Sequence, residues 1–234
     1  MKALNNTYVI SDIHNDYDSF MAMLSKIDFS DNDMMYIVGD IFDRSINPKP
    51  LELYKAIRCR ANIVPILGNH DRWLCRYILR YLENNNDEPY WYNSFNILEK
   101  QMSNQQLYEL AVWIDNMPLQ LEIQDENGEK YLLAHAQTFS PDENIADESA
   151  FTMGRFIDKE YLENGVEGYT SVIGHHCTSL LRTWMGWKQT VNLEVFASKN
   201  RNVFGIDVGN GYRNTRLGHR LACMRLEDKN IFYI

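Results

Sequence analysis

The chain has 234 residues, 45% of them hydrophobic and 24% charged, an ordinary balance for a soluble globular protein with one sizeable core. A net charge of −9 argues against binding nucleic acid or an anionic membrane through bulk electrostatics, although a local site can still take a small anion. Four scattered cysteines with no CxxC pair, and the lack of a signal peptide or transmembrane run, set the expectation of free thiols and a cytoplasmic location.

In chain order, "TYVISDIH" is a short β-favouring run that ends in Asp12 and His14, and a helix-like segment follows from Ser19 to Ile27. In "MMYIVGDIFDRS" the apolar run Met34–Val38 stops at a glycine and presents Asp40, Asp43 and Arg44 within the next five residues. A buried strand cannot carry those charges inward without partners. After a helix-like segment, Leu51–Arg60, "NIVPILGNHD" ends in Asn69, His70 and Asp71. Strand and helix signals thus alternate as in a βαβ pattern, and the fold class is α/β.

Residues 72–116 are rich in Leu, Tyr, Trp and Asn, with helical spacing in "RWLCRYILRYLENN" and "SNQQLYELAVWIDNM", and are read as a helical insertion beside the site. Within it "EPYWYNSF", Glu88 to Phe95, is read as packing of the insertion against the sheet, with a substrate-recognising rim as the alternative. Asn127-Gly128 between two alternating runs signals a hairpin. "KYLLAHA" ends in His135 and "YTSVIGHH" in His175 and His176, separated by an acidic stretch, Ser140–Gly168, read as loop plus a short helix. The tail reads as strands with a turn near Asp228–Asn230. No repeat or Gly/Ser-rich linker divides the chain, so residues 1–234 are expected to form a single domain.

A lone aspartate after a strand is usually a turn former, and a lone buried histidine is usually hydrogen-bonded core. Here, however, five of six histidines (His14, His70, His135, His175, His176) stand at strand ends, with only His219 elsewhere. In open α/β sheets ligands gather at the carboxyl ends of strands. Asp, Asn and His without a cysteine suit a borderline or hard divalent cation and disfavour a structural zinc site. Two metals about 3.5–4 Å apart need a shared carboxylate and can clamp a phosphate while activating water for in-line attack.

These residues carry a resemblance. "SDIHND", "GDIFDRS" and "GNHD" resemble the GDxHG, GDxxDRG and GNHE motifs of calcineurin-like metallophosphoesterases, and more narrowly of the phosphoprotein phosphatase family with its small bacterial and phage members. "LLAHAQ" and "VIGHH" resemble that family's later ligand-histidine motifs, and "GIDVGN" its closing strand. The resemblance implies a four-layer α-β-β-α sandwich. It implies one metal held by Asp12, His14 and Asp40, and a second held by Asp40, Asn69, His135 and His175. The metals would be two divalent ions, manganese first, with iron or zinc as other candidates. His70 would be the general acid, oriented by Asp43, and Arg44 would bind phosphate oxygens, with Arg155 in "FTMGRF" as a second phosphate arginine. Departures are Asn15 and Ser45 in place of motif glycines, Leu67 where many protein phosphatases have arginine, Asp71 for glutamate, and His176 where threonine is common.

The resemblance points to a metal-dependent phosphomonoesterase, a serine/threonine protein phosphatase, acting as a monomer on a phosphorylated protein or small phosphoester. A symmetrical dinucleoside tetraphosphate hydrolase is the alternative: Asp43 with Arg44 favours the first, Leu67 and Asp71 the second. A non-catalytic phosphate-recognising module is the third reading.

Overall fold

The computed structural model describes residues 6–84, 89–154, 157–190, 193–212 and 219–234. The amino-terminal half runs β1 (Thr7–Ile10), α1 (Tyr17–Lys26), β2 (Met34–Val38), α2 (Pro50–Arg58), β3 (Ile63–Ile66), α3 (Asn69–Leu82), α4 (Ser94–Leu98) and α5 (Asn104–Asp115). There follow β4 (Gln120–Gln124), β5 (Lys130–Ala134), α6 (Glu148–Met153), α7 (Lys159–Asn164), β6 (Thr170–Ile173) and α8 (Thr178–Trp184). The chain closes with β7 (Phe196–Ala197), β8 (Val203–Gly205), β9 (Ala222–Arg225) and β10 (Ile231–Tyr233).

Two five-stranded mixed sheets result, ordered β10-β9-β1-β2-β3 and β4-β5-β6-β8-β7. Strands β1, β2 and β3 are mutually parallel, as are β5, β6 and β8, while β9 and β10 on one side of the first sheet and β4 and β7 at the two edges of the second pair antiparallel.

Side-chain alternation sets the layering, because successive residues of a strand face opposite sides. Tyr8, Ile10, Met35 and Ile37 pack under α1, α2, α3 and α5 with Phe20, Leu53, Leu74 and Leu110. Val9, Tyr36 and Val38 face the other way and meet Tyr131, Leu133, Val172 and Phe204 of the second sheet. The outer face of that sheet is covered by α7 and α8 through Leu162, Leu181 and Met185 on Ile173, Phe196 and Val203. The order is therefore helix, sheet, sheet, helix. Each fully buried Leu, Ile or Phe in these layers contributes about 1.5–3 kcal/mol.

Several elements fall where the sequence places them. The β4–β5 hairpin turns through residues 125–129 with Gly128 at φ +84°. Three differences stand out. α3 begins at Asn69, so Asn69 and His70 lie in a first helical turn and not on a strand end. The acidic stretch carries two short helices, α6 and α7. α8 and the two-residue β7 have no reading in the sequence. Among the described residues no helix is long and apolar enough to cross a membrane.

Candidate metal centre

The carboxyl ends of β1, β2, β3, β5 and β6 meet at one edge of the two sheets. Asp12 donates its N–H to the Gly39 carbonyl, His14 to that of Asp40, and Gly174 to that of His135, which ties the loops together. His175 N–H donates to Asp12 Oδ2 at 3.0 Å across the two sheets. The loops are sharply bent: Asp12, His14, Asn15, Asp40, Asp43, Arg44, Ser45 and His175 all have φ between +50° and +69°. Such left-handed non-glycine conformations cost of order 1–3 kcal/mol each, persist only where their surroundings enforce them, and cluster at functional sites. Asn15 and Ser45, which stand where the motifs have glycine, adopt the very conformation a glycine would supply.

Two groups of side chains could each hold a metal ion, Asp12–His14–Asp40 and Asp40–His135–His175, with the ligand atoms of each group within 4.8 Å of one another. Asp40 belongs to both and divides its oxygens between them. Its Oδ2 lies 3.7 Å from His14 Nε2, and its Oδ1 lies 3.3 Å from His135 Nε2. Asn69 Oδ1 joins the second group, 3.0 Å from His135 Nε2. Backbone carbonyls fix the imidazoles: Nδ1 of His14 donates to Phe42 O at 3.0 Å and Nδ1 of His135 to Val38 O at 2.8 Å. Each ring therefore turns Nε2 toward the carboxylates, the orientation that ligating histidines take from such outer contacts.

Electrostatics mark the same place. Asp12 and Asp40 are buried, and among the described residues neither pairs with Lys or Arg. Buried carboxylates without a compensating cation cost several kcal/mol each, a penalty that divalent ions would offset. Burial, reinforced by Asp207, raises the Asp12 carboxyl, whereas His135 and His70 hold Asp40 low in spite of its burial. Burial pushes His14 down to about 3 and His175 down to about 2. His135 is buried too, but the neighbouring Asp40 carboxylate carries it up to about 10. The donor set, its burial and its carbonyl-fixed rings fit a pair of divalent ions.

Beside the two groups stands a third constellation. His70 donates its N–H to Asp40 Oδ1 at 3.0 Å, and its Nδ1 lies 3.1 Å from Asp43 Oδ2. In this contact Nδ1 serves as the donor and the carboxylate as the acceptor. Nε2 is buried with no hydrogen-bond partner among the described residues. The Arg44 guanidinium packs on the Tyr212 ring, 4.5 Å from its centroid, with Nη1 3.3 Å from His14 Nε2. It makes no ion pair among the described residues, which disfavours the plain reading of a surface salt bridge.

A calcineurin-like phosphoesterase signature matches residues 6–204. The chain belongs to the calcineurin-like phosphoesterase family. A symmetrical bis(5'-nucleosyl)-tetraphosphatase of Salmonella paratyphi B is 29% identical over 132 residues, covering 56% of this chain and 42% of that one. The match thus spans less than half the length of that relative. A crystal structure provisionally described as a diadenosine tetraphosphatase superposes with a TM-score of 0.64 at 16% identity, over 99% of this chain and 93% of that one. A serine/threonine phosphatase from Saccharomyces cerevisiae, similar to human phosphatase PP5, gives 0.57 at 15% identity over 98% and 78%. At these identities the likeness is one of fold. Family membership accords with the α-β-β-α sandwich, and divalent metals belong to the family's chemistry.

The structure brings Asp12, His14, Asp40, Asn69, His135, His175, His70, Asp43 and Arg44 together. Arg155 lies outside the described residues. His219 stands apart from both groups, its Nδ1 3.0 Å from Gly209 O. His176 packs edge-on against His175 and Trp184 and belongs to neither group. Three residues carry parts that the sequence reading did not assign. Asp71 accepts from the N–H groups of Ile41 and Phe42 at 2.9 and 3.2 Å through one oxygen and from Gly68 at 3.0 Å through the other, pinning two motif loops. Burial and the nearby Asp40 push its carboxyl up to about 7. Asn93 and Ser94, within the aromatic segment, reach the Asp43–Arg44 loop. Only Asp71 carried a signal, its place in the "GNHD" motif.

Proposed function

We propose that the protein is a metal-dependent phosphomonoesterase that hydrolyses phosphoserine and phosphothreonine in proteins. The reading is carried by one observation: two metal-capable groups share Asp40, and beside them His70 is bonded through Nδ1 to Asp43 and has Nε2 without a hydrogen-bond partner among the described residues. Asp12, His14 and Asp40 would hold one ion, and Asp40, Asn69, His135 and His175 the other, with manganese as the working metal. Bound there, the ions would polarise the phosphoryl oxygens and activate water for attack. Arg44, with its planar two-pronged guanidinium, binds the phosphate oxygens. His70 gives its Nε2 proton to the departing alkoxide while Asp43 holds the ring and stabilises its charged form.

Identity to the symmetrical tetraphosphatase supports a second reading, hydrolysis of a dinucleoside tetraphosphate. Manganese-loaded protein assayed side by side on a phosphopeptide panel and on diadenosine tetraphosphate separates the two. Preference for the peptides is expected; preference for the dinucleotide reverses the substrate assignment. Failure to turn over even para-nitrophenyl phosphate would leave phosphate recognition without catalysis.

His70→Asn should retain both metals and lose rate by about 10²–10⁴-fold, the usual scale for general acid–base catalysis. The loss should shrink on para-nitrophenyl phosphate, whose leaving group needs no proton. Equal losses on that ester and on a phosphoserine peptide would remove His70 from the acid role.

A further inference from the structure

The aromatic segment does more than pack. Tyr90 is 8% exposed, and its hydroxyl donates to Asp43 Oδ2 at 2.6 Å, the same oxygen that takes His70 Nδ1. Two donors on one oxygen fix the rotation of that carboxylate. Further along, Ser94 Oγ accepts the Asp43 N–H at 2.7 Å and the Asn15 side chain at 2.9 Å. Asn93 Nδ2 donates to the carbonyls of Arg44 and Ser45. The Tyr92 and Trp73 rings lie against the His70 imidazole, with centroids at 4.5 and 4.8 Å. Residues 90–94 thus grip Asp43, Arg44 and Ser45, three successive residues at positive φ.

We propose that Tyr90 is a positioning residue for His70, acting through Asp43, and that residues 90–94 form the strap that holds this loop. The proposal rests on His70 being the proton donor. Tyr90 touches no reacting atom: it sets the direction in which His70 presents Nε2. A phenol with an ordinary or raised pKa suits this part, and burial together with Asp43 raises that of Tyr90, so it remains a donor. A purely structural tyrosine would act differently. Its ring packs on Tyr77 and Phe95, contacts that phenylalanine keeps.

The test is Tyr90→Phe in the manganese-loaded protein. Loss of an outer partner of this kind costs about 10–100-fold in activity. We expect that loss in kcat on an alkyl phosphate, a change of less than about twofold on para-nitrophenyl phosphate, and unaltered metal content and KM. Introduced into Asp43→Asn, the same change should cost almost nothing more, because both act through one unit. Equal losses on the two esters, or additive losses in the double variant, overturn the proposal. In the zinc-loaded protein, whose diamagnetic ions do not broaden it, the imidazole N–H resonance of His70, assigned by its disappearance in His70→Asn, supplies a readout free of turnover. It should shift or broaden in Tyr90→Phe, and an unmoved resonance overturns the proposal. A moved resonance in a protein that hydrolyses no phosphoester supports the positioning contact and overturns the catalytic reading alone. Should Tyr90→Phe fail to fold, 3-fluorotyrosine at position 90 keeps the ring and alters only the acidity of the hydroxyl. A selective rate change on the alkyl ester is then expected, and no change at all overturns the proposal.

Discussion

Asp40 concentrates several tasks in one side chain: it lies in both metal-capable groups and accepts the backbone N–H of His70. Asp40→Asn should therefore lose both ions and activity together, whereas replacing His14, which touches the first group alone, should leave one ion partly bound. Metal analysis decides this, and two full equivalents in Asp40→Asn would remove the shared role. Arg44 separates phosphate binding from metal binding. Arg44→Ala should keep its metal, raise KM and lower kcat, because the guanidinium would hold oxygens whose charge shifts during reaction. Lysine should restore little, since it offers charge without the two-pronged geometry. Steady-state kinetics check both, and unchanged constants in Arg44→Ala would place this arginine outside the site. At this scale the candidate ligand histidines and aspartates were legible because each follows a β-favouring run, Asp40 and His175 directly after a glycine. The part played by Asp71, whose position alone its motif marked, and by Tyr90 was not, because it lies in partners about 30 to 47 positions away, on backbone N–H groups and one carboxylate oxygen.

At the scale of elements, the strand ends converge only where glycine lets backbones approach. A Cβ on Gly68 would collide with the backbone and carboxylate of Asp40, and one on Gly174 with Ser11 and the Asp12 carboxylate. Gly68→Ala and Gly174→Ala should therefore displace metal ligands as well as destabilise the fold, by about 1–3 kcal/mol each. Gly128→Ala is the contrast: its space is open apart from Gln124 Nε2 at 3.5 Å, so the cost lies in its φ of +84° alone. It should lower the melting temperature and leave metal content untouched. Thermal denaturation with metal analysis on the same samples distinguishes the three. The elements themselves were readable where periodicity was long, as in α1, α2 and the β4–β5 hairpin. The start of α3 was misread because Gly68, an extended residue without a side-chain cap, gives no helix signal ahead of Asn69. β7 is two residues long and α8 seven, too short for a pattern to rise above composition.

Over the whole molecule, the candidate ligands are divided between the sheets. Asp12, His14, Asp40 and Asn69 follow strands of the first, and His135 and His175 follow strands of the second. Elsewhere the sheets are joined by apolar contact and by polar links, among them the Tyr131 hydroxyl, which donates to the Leu226 carbonyl at 3.0 Å, and the Lys229–Glu129 ion pair. Ions held at their common edge would bind the folded chain and not the unfolded one, adding about 2.7 kcal/mol at a free concentration one hundred times Kd. Manganese should raise the melting temperature and a chelator should lower it, and a melting temperature indifferent to both would argue against ions that bridge the sheets. Amide exchange should quicken on chelation at the strand-end loops and remain slow between the sheets. The same division gives the shared edge a meaning for the life of the protein in its cell. Chains whose loops open are the ones that proteases take, and one or two kcal/mol can change abundance several-fold. Scarcity of the ion would then shorten the lifetime of the polypeptide, so that supply of the metal governs how much protein persists as well as how fast it works.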